Sequence, residues 1–537
     1  MLRNKWVAAC AATGLCFAAG TAGAVTPFEA DVTSSIDKGI EWLASAGAYN
    51  NPSSAGEAAG LTLLALLEKR PAGQGLDASP QGYVGASDVD KARMRKSVAY
   101  ILSRIQNLPV NYHVAYDYGS WSMALALYMR TGGPDRGQNA DLPASLPYDL
   151  KGGLNTMFDR LKGFQQAAGY WSYDEFIYPG YKDSSTTQFV VAGLAALRSV
   201  YGDTGKSWAD AARLAELEAM AAKARQAYVT TGTQSLSSAV CGNLGGDERG
   251  HGYNAGNEPS LQQTASGTWI QLVGGANIND PSVQGYMKWL RNRYRYTNGG
   301  SADGGWGSSH WYYMWSSSKA FLFLRGGGIA PAAGNVSVDD LGTLPAASAP
   351  ACSERQMHRD PAADARVALF GSDGAGYYGA QPKDFYYDYA YTILGYQCSN
   401  GSYACNSAPG YWNQYSRQAY ALLVLQRSVG GGCVDANKDG KCDGGDSPAP
   451  PQVGSCDVNA DGKVTYADVF AMLPFAKARL QIGGGNAVPP GADAANIASF
   501  NASADSGQAD SWFGTGHADT QVNIADFTRC IFKANGR

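Results

Sequence analysis

Charge is sparse in this chain of 537 residues: Asp, Glu, Lys and Arg together make up 16%, and histidine occurs five times. The net charge is −4, and no cluster of lysine and arginine offers the basic surface that a phosphate backbone requires, so nucleic acid is excluded as a partner. His113, His251, His310 and His358 are scattered, with neither H-x-x-x-H nor H-E-x-x-H spacing, so the sequence carries no histidine zinc motif. There is no G-x-S-x-G elbow to support a serine triad. There is also no glycine-rich phosphate loop; Gly430-Gly431-Gly432 reads as a helix stop before a linker. Beyond the first residues no apolar run approaches the ~20 residues that span a bilayer, so no transmembrane segment is expected.

Other features are abundant. The 67 glycines, 32 tyrosines and 12 tryptophans point to many turns and to an aromatic-rich surface or cleft. At the N-terminus Arg3 and Lys5 precede an apolar segment from Trp6 to Ala19, and Ala22-Gly23-Ala24 offers a cleavage site before Val25. Residues 1–24 are therefore expected to be a signal peptide, and the mature protein secreted, periplasmic or at the cell surface. Its charge is −6, from 40 basic and 46 acidic residues. Removing the signal leaves eight cysteines, an even number that favours disulfides in an exported chain. Spacing suggests Cys398 with Cys405, Cys433 with Cys442 and Cys456 with Cys530, leaving Cys241 with Cys352 by elimination.

The stretch from Asp457 to Asp468 places oxygen side chains at Asp457, Asn459, Asp461, Thr465 and Asp468, positions 1, 3, 5, 9 and 12 of a calcium loop. Gly462 at position 6 allows the sharp turn, and the apolar helix that follows begins at Val469. An EF-hand proper ends on a bidentate Glu, whereas Asp468 stands there and Val464 occupies position 8. In this respect the segment resembles the first repeat of a type I dockerin. A second, degenerate copy has Asp519, Asn523 and Asp526 at positions 5, 9 and 12, with Thr515 and His517 where acidic ligands belong. The resemblance implies a calcium-folded, EF-hand-like module over 455–537 that docks onto a cohesin-like or other cell-surface protein. Upstream, Asp435, Asn437, Asp439 and Asp443 repeat the D-x-N-x-D-G pattern between Cys433 and Cys442 and resemble a thrombospondin type 3 calcium repeat. With the Pro-rich run Ser447–Pro451 this makes 431–454 an acidic repeat and stiff linker. The cofactor expected from both patterns is calcium.

Residues 25–430 read as one repeat domain, all-α, with about six hairpins of alternating outer and inner helices. Outer helices are expected near 31–44, 89–107, 150–166, 209–228, 281–294 and 356–370. Inner helices, Ala/Leu-rich nearly all round, are expected near 54–69, 118–131, 184–200, 260–274, 312–325 and 414–428. The stretch 384–396 competes for the sixth pair. Gly169-Tyr170-Trp171, Gly304-Gly305-Trp306 and Gly410-Tyr411-Trp412 each precede an inner helix. These turns resemble the repeats of the prenyltransferase and squalene-oxidase-repeat (terpenoid cyclase-like) superfamily, which implies an α/α toroid. The chemistry of that superfamily is not implied. The D-x-D-D and diphosphate-binding Asp clusters are absent, Tyr387 stands where a zinc-ligating His would be, and no thioester Cys-Gly-Glu-Gln occurs. Isoprenoid cyclase or transferase activity is not expected.

What remains is a cleft where the inner helices begin, lined by aromatics and carboxylates. Carboxylate and tyrosine candidates for catalysis are Asp174, Glu175, Asp183, Asp384, Asp388 and Tyr387; Trp121, Trp171, Trp306 and Trp311 are candidates for stacking on sugar rings. Tyr116, Asp117 and His310 belong to the same set. The tryptophans read equally as wedges between hairpins, and Asp183 as a helix cap. Two functional classes follow: a calcium-binding toroid that recognises a glycan or protein ligand and docks through its tail, or a secreted polysaccharide-active lyase or glycoside hydrolase.

Overall fold

Apolar spacing and capping residues divide the chain into alternating helices. The computed structural model describes residues 25–430, apart from 72–74, 77, 109–112, 177–179, 231–246, 255, 298–308, 328 and 344–354. The signal peptide, the linker, the calcium candidates from Asp435 to Asp526, Trp306 and three of the four expected cystines lie outside the described residues. The fourth, Cys398–Cys405, is formed.

Twelve α-helices occur among the described residues, and no β-strand longer than an isolated bridge. The outer helices are α1 (Pro27–Ser45), α3 (Asp88–Arg104), α5 (Leu150–Gly163), α7 (Ala211–Thr230), α9 (Pro281–Asn292) and α11 (Phe385–Gly395). The inner helices are α2 (Ala59–Leu67), α4 (Val114–Arg130), α6 (Ser184–Tyr201), α8 (Leu261–Val273), α10 (His310–Gly326) and α12 (Gln414–Leu425). Each inner helix packs on the inner helix of the neighbouring hairpins, and α12 packs back on α2, so the inner helices close a ring. The protein is an α/α toroid.

Burial follows position in the ring. Every residue of α2 and α8 is buried, whereas α9 buries one stripe, Val283, Tyr286, Met287, Trp289 and Leu290. In α1, Phe28, Val32, Ile36, Ile40 and Leu43 are withdrawn from water, each contributing about 1.5–3 kcal/mol. The same helix opens with a capping box: Thr26 Oγ1 accepts from Glu29 N–H and Glu29 Oε2 accepts from Thr26 N–H. Small residues let the inner helices approach closely. A Cβ on Gly119 of α4 would stand 2.3 Å from the Phe189 carbonyl oxygen of α6, and one on Gly60 of α2 would stand 2.6 Å from the Ser120 carbonyl carbon of α4.

Three expectations are corrected. Residues 356–370 form no helix; the sixth outer helix is α11, which corresponds to the competing stretch. Asp360 precedes Pro361, which disfavours helical backbone there. The segment is tied down by side chains instead: Asp388 of α11 accepts from Arg359 N–H at 2.8 Å and from His358 Nδ1 at 2.6 Å, and Arg366 pairs with Asp31 of α1. The second helix is shorter than expected, because Pro52–Ser54 and Gly56–Ala58 form 3₁₀ turns before α2. Finally, α4 begins at Val114, so Tyr116 and Asp117 lie in its first turn rather than before it.

Candidate functional site

The turns that enter the inner helices share one end of the ring, because they are stitched to one another. Ala115 N–H donates to the Tyr173 carbonyl, Ser184 N–H to the Tyr253 carbonyl, and Trp311 Nε1 to the Pro409 carbonyl. This end is the mouth of the toroid. Its floor is aromatic: Phe189 of α6 meets Trp315 of α10 at 5.3 Å between ring centroids, and Trp315 meets Tyr420 of α12 at the same distance.

On the α2–α4–α6 side the mouth concentrates polar groups. Asp183 caps α6, its Oδ1 accepting from the N–H groups of Ser185 and Thr186. The Ser185 hydroxyl lies 2.6 Å from the same oxygen and 2.5 Å from the Tyr116 hydroxyl, which completes a carboxyl–hydroxyl–phenol chain. Tyr253 and Tyr173, hydrogen-bonded to each other, stand on the other side of Asp183. Burial pushes the Asp183 carboxyl above its ordinary range, against hydrogen bonds from Ser185, Thr186 and Tyr253 that pull it down. Burial also raises the phenols, Tyr173 to about 12 and Tyr116 well above its usual value. They remain protonated donors at neutral pH.

Beside this chain Glu57 and His113 form a partly exposed pair, Glu57 Oε1 lying 2.8 Å from His113 Nδ1. The hydrogen bond to Glu57 raises the His113 pKa, while Asp174 and Asp183 act on the ring through their charge. The His113 ring packs against Tyr116 and Tyr173 at 5.8 and 5.0 Å. The two environments therefore differ, one carboxyl buried and pushed towards its acid, the other carboxylate solvated and paired with an imidazole. Sequence reasoning missed Glu57, since it stands in a short 3₁₀ turn with no motif around it.

Of the sequence candidates, Asp183 alone sits at the centre of this arrangement. Asp174 is buried, with Oδ1 accepting from Phe176 N–H at 2.8 Å. Its neighbour Glu175 turns outward to Arg160 of α5 at 2.8 Å. Asp384, Tyr387 and Asp388 belong to the outer helix α11. Asp384 caps it and pairs with Arg325 at 3.1 Å, Asp388 anchors the 355–371 segment, and Tyr387 is buried against Phe28 and Tyr391. Asp117 faces the outer helix α3, and burial raises its carboxyl well above the usual range, with Glu57 adding to the shift.

Trp121, Trp171 and Trp311 are buried and cannot stack on a sugar. Trp171 Nε1 donates to the Leu161 carbonyl at 2.8 Å within its own hairpin, and Trp311 Nε1 to the Pro409 carbonyl of the next hairpin at 3.3 Å, so both serve the packing. His310 is buried in α10, and burial, with the Arg295 charge, lowers its pKa to about 3. Among the described residues no three His, Cys, Asp or Glu side chains converge to hold a metal ion, and no helix is long and apolar enough to cross a membrane.

No family model and no curated protein matches the chain. Among solved structures it is similar to two inactive variants of an alpha-1,6-mannanase, GH76A of Salegentibacter sp. HEL1_6. The variant in complex with alpha-1,6-mannotetrose shares 9% identity over 74% of this chain and 99% of that chain, with a TM-score of 0.40. The variant in complex with alpha-1,6-mannotriose shares 8% identity over the same fractions, with a TM-score of 0.41.

Proposed function

We propose that the protein is an exported glycoside hydrolase whose active site is the α2–α4–α6 side of the mouth. The observation that carries this reading is the chain from the buried Asp183 carboxyl through Ser185 to Tyr116, placed beside the Glu57–His113 pair. In this reading Tyr116 gives its proton to the leaving glycosidic oxygen; the Ser185 hydroxyl, which in the structure donates to Asp183, then turns to hand its proton to Tyr116 and takes one from the Asp183 carboxyl. The Glu57 carboxylate takes a proton from water as the water oxygen bonds to the anomeric carbon. One glycosidic C–O bond breaks and the elements of water are divided between the fragments. Recognition without cleavage accounts for the aromatic mouth and leaves Asp183 as the cap of α6, whereas the hydrolase reading also gives a role to the hydroxyl–phenol chain and to the Glu57–His113 pair beside it.

The acidic patterns at 435–443 and 457–468 extend the proposal to a calcium-binding, dockerin-like tail that attaches the enzyme to a cell-surface or cohesin-like protein. The test is incubation of the mature protein, in calcium, with a panel of mannan, xylan, β-glucan, pectin and alginate, reading newly released reducing ends. Asp183→Asn keeps the helix cap, since Asn and Asp cap about equally, but removes the proton source. The variant is expected to melt like the parent while kcat falls by about 10²–10⁴. Parent-like activity in the variant, or no sugar released from any substrate, would overturn the assignment.

A further inference from the structure

Large aromatics exposed on a protein surface lose the hydrophobic benefit of burial, and where they gather at one opening their faces can stack on a ligand that has an apolar face. Phe176, on the turn that enters α6, is 61% exposed; Tyr411 and Trp412, on the turn that enters α12, are 47% and 60% exposed. Both turns lie at the mouth. Around the ring α6 and α12 are three helices apart in either direction, so they stand opposite each other. With 8–10 Å between neighbouring helix axes, the two turns are separated by about 16–20 Å, several sugar residues in length.

The turns that carry the aromatics are held in place. The Arg417 guanidinium, itself buried, lies 4.0 Å from the Tyr411 ring centroid, and Asn413 next to Trp412 caps α12 by accepting from Tyr415 and Ser416 N–H. The Cys398–Cys405 cystine closes the start of the same turn. Across the ring, Phe176 N–H is fixed by the buried Asp174 carboxyl.

We propose that the toroid binds the interior of a polysaccharide chain laid across its mouth, stacked on Phe176 at one edge and on Tyr411 and Trp412 at the other, and therefore cleaves within the polymer. Sugar rings present C–H groups on one face and hydroxyls at their edges. A chain long enough to reach both aromatic edges gains two stacking contacts that a short oligosaccharide cannot make together. This inference rests on the hydrolase reading and adds the substrate's length and the mode of attack.

The experiment uses the mature full chain, with Trp412→Ala and Phe176→Ala beside it. Both positions are on the surface, so melting curves should match the parent. The substrate is whichever panel polysaccharide is cleaved fastest, together with its own oligomers from dimer to octamer. Expected are early products of mixed length from the polymer, KM falling as oligomers lengthen until they span the mouth, and KM for the longest oligomer about tenfold higher in each variant, with dimer affinity unchanged. Release of one short product from the start, or a KM independent of length and unaffected by either substitution, would overturn the inference and leave the hydrolase reading standing. Absence of cleavage of every polysaccharide would overturn both.

Discussion

At the residue scale, the fully buried ionisable groups Asp183 and Lys319 are each held away from the charged form, and their effects on stability run in opposite senses with pH. Burial raises the Asp183 carboxyl, so above the ordinary carboxylate pKa the unfolded chain gives up its proton first and the site lowers stability as pH rises. That cost is accepted at a position where a proton source is proposed. Lys319 of α10 lies between Trp315 and Trp269, with Nζ 3.4 and 4.6 Å from their ring centroids and no hydrogen-bond partner among the described residues. Burial depresses its ammonium well below the usual value, against the attraction of Glu68. The unfolded chain holds this proton up to about pH 10 while the folded chain does not, so stability rises with pH across that window. Lys319→Met fills the same space without a charge to desolvate. It should raise stability by on the order of 1–3 kcal/mol at pH 7, with the gain shrinking towards pH 10. Denaturant titrations of parent and variant at both pH values check this; equal stability at pH 7 would show that the tryptophan faces compensate the ammonium fully.

At the scale of elements, the ring depends on inner helices that approach to backbone contact. Gly119 is the tightest such point, because the added Cβ would meet the backbone of α6 rather than a side chain that could turn aside. Gly119→Ala should cost about 1–3 kcal/mol or more, although Ala is the better helix former in isolation. It should also move Tyr116 and Ser185, which sit on the two helices being forced apart. Thermal unfolding and activity are expected to fall together; a variant as stable as the parent would mean that α4 and α6 slide to accommodate a methyl group. The outer helices contribute differently. Asp388 and Asp31 use buried or half-buried carboxylates to fasten 355–371, an irregular segment, across α11 and α1, where the last and first outer helices meet.

For the whole molecule, the sequence places a second source of stability beyond the toroid. If the loop from Asp457 to Asp468 binds calcium, the tail gains RT ln(1 + [L]/Kd), about 2.7 kcal/mol at a hundredfold excess over Kd. Chelator should therefore lower a melting transition assigned to the tail while leaving that of the toroid in place. Asp457→Ala combined with Asp461→Ala should remove the difference. Identical scans with and without chelator would dismiss calcium from the tail.

The alternation of apolar periods was enough to place eleven of the twelve helices among the described residues, because each helix must bury a face and its own sequence records which one, while the toroid was implied by the resemblance that the Gly-aromatic turns carry. The sixth outer helix was ambiguous: residues 356–370 carry a helical pattern, which Pro361 interrupts and which contacts with Asp31 and Asp388, distant along the chain, replace with another form. Candidate chemistry was legible in part. Asp183 announced itself by preceding a run of hydroxyls, which is also the signature of a cap, and it does act as one. The choice among tryptophans went the other way. Trp121, Trp171 and Trp311 are spent on packing, while Phe176, Tyr411 and Trp412 reach solvent, although Trp171 and Trp412 hold the same place in their Gly-Tyr-Trp turns. Sequence by itself determined the helical repeat and the residue types gathered at the inner helix starts. Tertiary structure alone decided which of them face the mouth and brought Glu57 to His113, because α2 packs on α4 and sets the heads of neighbouring inner helices side by side.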